Sequence, residues 1–210
     1  MAIVIREVED ADIPRACVIE GLAYKNNPLG SILAPGPFPP DAAQQRIDQI
    51  IGMRKDDPTA KYSQAVDEAS WTMIAFAKWH IYQTESQVAA SVRPLSFGGG
   101  RNKDACTAFF GGMAERKKAL MGNAPHIYLH LLHTDPEYQG RGAGGLLVTM
   151  ITRRADELGL PVYLESSTVA HRFYQNHSFR DFEVLKVDLS AWGGGIHEQP
   201  LMIRSPTMTA

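Results

Sequence analysis

Asp135-Pro136-Glu137-Tyr138-Gln139-Gly140-Arg141-Gly142-Ala143-Gly144-Gly145 decides the reading of this chain, because of what stands on either side of it. Before it, Ile127 to His133 reads as a strand. After it, Leu146, Leu147, Met150, Ile151, Arg154 and Leu158 recur at helical spacing, so Gly144 or Gly145 opens a helix. Gly159 ends that helix and Pro161 prevents its return. Val162 to Ser166 is the next strand. A strand–loop–helix–strand unit predicts two parallel strands with a right-handed crossover. Glycines between a strand and a helix have a physical use. Without a Cβ the backbone can approach a ligand closely, and the first N–H groups of the helix are unpaired. Those groups and the helix dipole favour an anion, most simply a phosphate, and Arg141 adds positive charge.

Outward from this unit, Ile3 to Val8 is a short strand. Asp10 or Asp12 is placed to cap a helix over Ile13 to about Tyr24, with Pro14 in its first turn. The proline-rich stretch Asn26 to Pro40 is expected to lack regular structure. Asp41 then caps a helix from Ala42 to about Arg54, with Ile47, Ile50 and Ile51 on one face. Lys61 to Val66 and Trp71 to Tyr82 read as a hairpin. Residues 83–124 are the least patterned, with a charged helical stretch from Met113 to Leu120. They have too few large apolar residues for a core of their own and are expected to form an insertion beside the site rather than a separate domain. Downstream come a helix from about Val169 to His177, a strand from Phe182 to Leu189, a glycine loop at 193–195 and a last strand near Pro200 to Arg204. The order predicts one domain over residues 1–210, of α/β (α+β) class, with a mixed sheet covered by helices on both faces.

Three readings of the glycine loop compete. Gly140 to Gly145 matches G-x-G-x-x-G, and Glu165 follows about twenty residues on, as in a dinucleotide-binding unit. Against that, six residues, Thr134 to Gln139, separate the strand from the first glycine, and too few strands follow for a doubly wound sheet. No Lys-Ser/Thr pair follows the glycines, so no Walker pattern is present. A glycine-rich turn without any ligand is the third reading.

The segment Asp135 to Gly144 resembles the Pro-x-Tyr-Gln/Arg-Gly-x-Gly-x-Gly segment of the GNAT superfamily of acetyltransferases. A second block, Val169-Ala170-His171-Arg172-Phe173-Tyr174-Gln175-Asn176-His177-Ser178-Phe179, is similar to that family's Ala-x-x-Leu-Tyr-Glu-x-x-Gly-Phe helix. The match covers about Ile127 to Phe182, and Ile74 to Trp79 and Met202 to Pro206 resemble small fungal members. Ser178 replaces the usual glycine, and Ser167 stands where many members have asparagine. The resemblance implies a mostly antiparallel sheet whose central parallel strand pair splays around the cofactor. It implies acetyl-CoA as co-substrate, with its pyrophosphate on Gln139, Gly140, Arg141, Gly142, Ala143 and Gly144. It also implies cofactor contacts from Leu132, His133, Thr134, Ser167, His171 and Tyr174.

Acetyl transfer to an amine needs a proton removed from nitrogen, a polarised carbonyl, a leaving thiolate and both reactants held together. Tyr174 matches the family tyrosine that protonates the thiolate. A backbone N–H near Leu132 or Thr134 is placed to stabilise the oxyanion. For the base, alternation puts Tyr128, His130 and Leu132 on one face, and the resemblance to the arylalkylamine branch points to His130. His133 falls on the other face unless a bulge intervenes. Glu165 and Asp135 are the other candidates, Asp135 more as a cap or turn residue. His126, His130 and His133 lack the partners of a metal site, and Cys106 lacks a histidine for nucleophilic catalysis, so no metal and direct attack in a ternary complex are expected.

A net charge of −2 with 21% charged residues excludes a nucleic-acid or anionic-membrane footprint and argues against a polyamine or histone-tail enzyme. Arg116-Lys117-Lys118 reads as a solvated helix face. No apolar stretch is long enough to span a bilayer, and residues 1–6 do not read as a signal peptide, so a cytoplasmic location is expected. The expected acceptor is a small-molecule amine in a pocket shaped by the 26–40, 83–124 and 192–200 segments, with Phe38, Trp79 and Phe109 as candidate linings. Monomer and homodimer both stay open. The alternatives are an acyl-CoA-binding module without catalysis and an NAD-dependent oxidoreductase.

Overall fold

A computed structural model of the chain describes residues 2 to 207. Its elements are β1 (Ile3–Glu7), α1 (Ile13–Tyr24), α2 (Gly30–Leu33), α3 (Ala42–Asp56), β2 (Ala60–Asp67), β3 (Thr72–Tyr82), α4 (Glu85–Ala90), α5 (Lys103–Cys106), α6 (Gly112–Met121), β4 (His126–Thr134), α7 (Ala143–Leu158), β5 (Val162–Glu165), α8 (His171–Gln175), β6 (Arg180–Asp188) and β7 (Ile196–Arg204). The strands form one seven-stranded sheet in the order β1-β2-β3-β4-β5-β7-β6. Every neighbouring pair is antiparallel except β4 and β5.

Period-two alternation sorts side chains to two faces. One face carries Ala65, Ala77, Trp79, Ile127 and Leu129 against Leu147, Val148 and Ile151 of α7. The other carries Tyr62, Met73 and Phe76 against Ile13, Ala16 and Ile19 of α1 and Ile50 of α3. Trp79 therefore belongs to the α7 core, where its indole N–H donates to Ser63 Oγ at 3.2 Å, and it does not line an acceptor pocket.

The parallel pair is joined only at Ile127–Val162 and Tyr128–Tyr163. Beyond Tyr128, β4 stays paired to β3 as far as Thr134, while β5 stays paired to β7 as far as Glu165. The two strands thus open into a wedge. β4 also bulges: Leu129 faces Trp79 and Leu131 faces Lys78, which leaves His130 without a ladder partner. The extra residue inverts the alternation after it. Tyr128, His130 and His133 share the α1 side, and Leu132 moves to the α7 side together with Thr134, against the simple count that grouped Leu132 with His130.

Three further readings change. The 26–40 stretch does hold a turn of helix, α2, because Leu33 finds a buried place and the prolines begin only at Pro35 after Pro28. Residues 83–124 are largely helical. Thr84 and Gln87 form a capping box for α4, and Asn102 caps α5 through Ala105 N at 3.1 Å. Ala105, Cys106 and Phe109 pack with Leu29, Leu33, Val187 and Leu189, so the apolar partners that the segment lacks are supplied by distant parts of the chain. Asp12 and Asp41 occupy N-cap positions but make no side-chain cap. Asp12 accepts from Glu9 N, Arg6 and Gln64, and Asp41 from the Gln45 side chain.

Candidate functional site

The glycine loop closes one end of the wedge. Gly140 and Gly142 have φ of +74° and +91°, a region L side chains rarely enter, and Gly142 is the N-cap of α7. The first helical backbone bond runs from Leu146 N to Gly142 O at 3.0 Å. Among the described residues, the N–H groups of Gly140, Gly142, Ala143, Gly144 and Gly145 have no backbone acceptor. They form a concave row at the positive end of a 16-residue helix, the geometry that suits a phosphate. A Cβ at Gly144 would stand 3.4 Å from Thr134 Oγ1 and 3.7 Å from the Phe173 ring, so the helix start packs tightly on β4 and α8. Arg141 donates to Glu137 O at 2.9 Å and lies over the Tyr138 ring, and the Gln139 amide reaches Thr134 O at 3.4 Å. Asp135 is buried, accepts from Glu137 N and is paired with Arg15, which also donates to Met73 O. Asp135 is thus a turn residue tying the loop to α1 and is not free to act as a base.

At the wedge, Tyr174 is buried among Phe173 and Phe179, with edge contacts at 5.1 and 5.6 Å. Burial, with a smaller contribution from Tyr24, raises its phenol above the usual tyrosine range. Its hydroxyl has no hydrogen-bond partner among the described residues and is not sealed from solvent. A neutral phenol with a free O–H is a proton donor. His133 sits between Tyr24 and Phe76, at ring distances of 4.9 and 5.4 Å, and burial lowers its pKa. Its Nδ1 is buried without a partner.

The α1 side of the wedge holds a second cluster. Tyr128 donates to Glu165 Oε2 at 2.8 Å. The Tyr128 ring stacks on His130 at 5.0 Å and 16°, and His80 stacks near both. Burial raises the Glu165 carboxyl, opposed by Lys117 and by the Tyr128 hydrogen bond. His130 keeps accessible surface, and desolvation, then Lys78, hold its imidazole well below the usual range. His130 is therefore held neutral and is a weaker base than an ordinary imidazole, while Glu165 is a carboxylate of strengthened basicity. Tyr128 touches both, Glu165 through its hydroxyl and His130 through its ring.

Sequence reasoning missed Lys117, His80 and Tyr24. Lys117 Nζ lies 4.0 Å from the Tyr128 ring centroid, so this residue of the basic run is not on a solvated face. The signal was available: Lys117 is i+4 from Met113 and i−3 from Leu120, the apolar stripe of α6. Two other expected positions are otherwise engaged. Ser167 Oγ accepts from Ala170 N at 3.2 Å, ahead of α8, and His171 Nε2 is paired with Asp181. Cys106 is buried and donates its thiol to Leu33 O at 3.2 Å.

Among the described residues no helix is long and apolar enough to cross a membrane. Residues 50–179 match the model of the acetyltransferase (GNAT) family. An uncharacterised N-acetyltransferase of Schizosaccharomyces pombe is 33% identical over 96 residues, 45% of this chain and 41% of that protein. The match thus spans about two fifths of the length of this curated relative. A histone acetyltransferase and related acetyltransferase of Corynebacterium glutamicum superposes with a TM-score of 0.65 at 20% identity, over 100% of this chain and 99% of that one. The polyamine N-acetyltransferase of Drosophila melanogaster gives 0.62 at 16%, over 96% and 98%. A mosquito arylalkylamine N-acetyltransferase-like protein gives 0.62 at 15%, over 97% and 100%. These likenesses describe the fold; the family match over residues 50–179 makes the chain a member of the GNAT family of acetyltransferases.

Proposed function

We propose that the enzyme moves the acetyl group of acetyl-CoA to the amine of a small molecule by direct attack in a ternary complex. The observation that carries this is the wedge between β4 and β5, with unpaired N–H groups at one end and the Tyr128–Glu165–His130 cluster on its α1 side. The cofactor would supply a thioester, an acyl donor already activated at its carbonyl carbon. Gly140, Arg141, Gly142, Ala143 and Gly144, with Gln139 bracing the loop, would hold its pyrophosphate; Leu132, His133 and Thr134 would run beside its arm. Ser167 and His171 would act at most through the start of α8 that they brace. Tyr174 would donate its phenolic proton to the departing sulfur. Glu165, directly or through His130, would accept the proton of the attacking amine. The 83–124 insertion would wall the acceptor side through Lys117.

The nicotinamide reading loses its acidic residue, since Glu165 is bonded to Tyr128 inside the sheet, where a ribose would need it free. The Cys106 thiol is buried and donates to Leu33 O in a separate cluster, which argues against it as a covalent acyl carrier and supports direct attack. Calorimetry with acetyl-CoA and with NAD, followed by thiol release over an amine panel, tests the reading. Binding of acetyl-CoA but not NAD, with amine-dependent thiol release, is the expected result; absence of acetyl-CoA binding would refute it.

A further inference from the structure

We propose that the acceptor amine also carries an anionic group, most simply a carboxylate, which seats against the Lys117 ammonium over the Tyr128 ring. The inference deepens the acetyltransferase reading and rests on it. Lys117 comes from α6 and reaches the acceptor side of the sheet. Its Nζ lies 4.0 Å from the Tyr128 centroid and 5.9 Å from that of Tyr82. Among the described residues it forms no ion pair within 4.0 Å. Glu165, the carboxylate that acts on it, stands outside ion-pair distance and accepts the Tyr128 hydroxyl at 2.8 Å.

A second ammonium, Lys78, adds to the same field. It is buried on β3, its nearest polar neighbour is Met53 Sδ at 3.8 Å, and it too has no carboxylate partner. His130 lies within the field of both lysines. The nearby Arg46 and Arg93 are already matched by Glu20 and Asp57. Both lysines are desolvated, and among the described residues neither forms an ion pair within 4.0 Å, in a protein whose net charge is −2. Burial is unfavourable for the Lys117 ammonium, Glu165 offsets it without closing to an ion pair, and a ligand anion in contact with Nζ would offset it further. A diamine or other cationic acceptor would meet repulsion at the same place. An acceptor with its amine at His130 and Glu165 has the Lys117 head one aromatic ring away.

The test compares matched acceptors that differ in charge. One series is phenylalanine, phenylalaninamide and phenethylamine; the other is 4-aminobutyrate, butylamine and putrescine. Thiol release is followed with saturating acetyl-CoA for the wild type, Lys117→Met, Lys117→Glu and Lys117→Arg. In at least one series the acid should exceed its neutral and cationic analogues by roughly 10- to 100-fold in kcat/KM. Lys117→Met should bring that ratio near one, Lys117→Arg should retain it, and Lys117→Glu should turn it toward the cationic member. Calorimetry with acetyl-CoA on each variant shows that the fold and cofactor site persist. Equal or better turnover of the uncharged or cationic acceptors, or a ratio unmoved by Lys117→Met, overturns the anionic acceptor and leaves the transferase reading standing. Acetyl-CoA binding with no thiol release in either series overturns both.

Discussion

At Tyr174 the phenol is held neutral by burial and its hydroxyl is unbonded, which is what a general acid requires. Tyr174→Phe removes one oxygen and keeps the ring contacts to Phe173 and Phe179. It should lower kcat by roughly 10²-fold or more with KM little changed, read by steady-state thiol release. Unchanged turnover would take Tyr174 out of this role. Glu165 predicts a pH effect. Its carboxyl is raised, so the basic form appears only at higher pH than for an ordinary glutamate, and kcat/KM should rise with pH through that raised value. Glu165→Gln should flatten this acidic limb and lower the plateau. Persistence of the limb in Glu165→Gln and its loss in His130→Gln would reassign the base to His130. Glu165 and His130 were both legible as bases in the sequence, but Tyr128, which bonds Glu165 through its hydroxyl and stacks on His130 through its ring, was not, because only the closed sheet brings the three together.

For the elements, the two ends of α7 make different demands. Gly142 begins the helix at φ +91° and Gly159 ends it at φ +65°. Alanine at either position should cost about 1–2 kcal/mol of stability, the usual strain of that region. Gly142→Ala should also weaken acetyl-CoA binding about tenfold, since relief of the strain misaligns the N–H row. Gly159→Ala, at the far end, should leave that affinity alone; equal effects of the two on calorimetric Kd would detach the loop from the cofactor. The last turns of α7 are fastened to β7 by a two-pronged bond from Arg204 to Asp156, both contacts at 2.8 Å, with Thr207 N adding a third. Arg204 lowers the Asp156 carboxyl, so the folded state binds its proton less tightly than the unfolded chain. The resulting stability is present above the unfolded pKa of about 3.9 and fades as pH falls through the folded value. Asp156→Asn should cost about 1 kcal/mol at neutral pH, given partial exposure, or about 2–4 °C in Tm. The loss should shrink below pH 4; a constant Tm difference across pH would remove the ion pair as its cause.

On the scale of the whole molecule, the sheet has a core on each face and a third apolar cluster that joins α2, residues 103–111 and the end of β6. Phe109 is the large buried member of that third cluster. Phe109→Ala should destabilise it by about 3–5 kcal/mol, the cost of a large cavity. Its contacts are separate from the two main cores, so hydrogen exchange should accelerate first in residues 26–34 and 103–121, with β2, β3 and β4 still protected. Uniform acceleration would show that the third cluster does not open separately. Because α6 carries Lys117, acceptor KM should rise in this variant before acetyl-CoA affinity falls.

The sequence by itself determined the parallel unit, the glycine loop and the order of strands around it, because periodicity and glycine placement are local properties of the chain. It also determined the tyrosine of α8 as a candidate acid, through its match to a helix of known type. Only the tertiary structure decided which side of β4 each residue faces. A bulge is a mismatch between two strands, and neither strand records it alone; at His130 it put His133 on the α1 side with His130 and Leu132 on the α7 side. Tertiary structure likewise decided that 83–124 folds, since Phe109 and Cys106 are too few to form a core until Leu29, Leu33, Val187 and Leu189 arrive from elsewhere. Lys117 is the sharpest case. Its charge placed it in water, while the apolar stripe of α6 and the open face of Tyr128 placed it in the cleft.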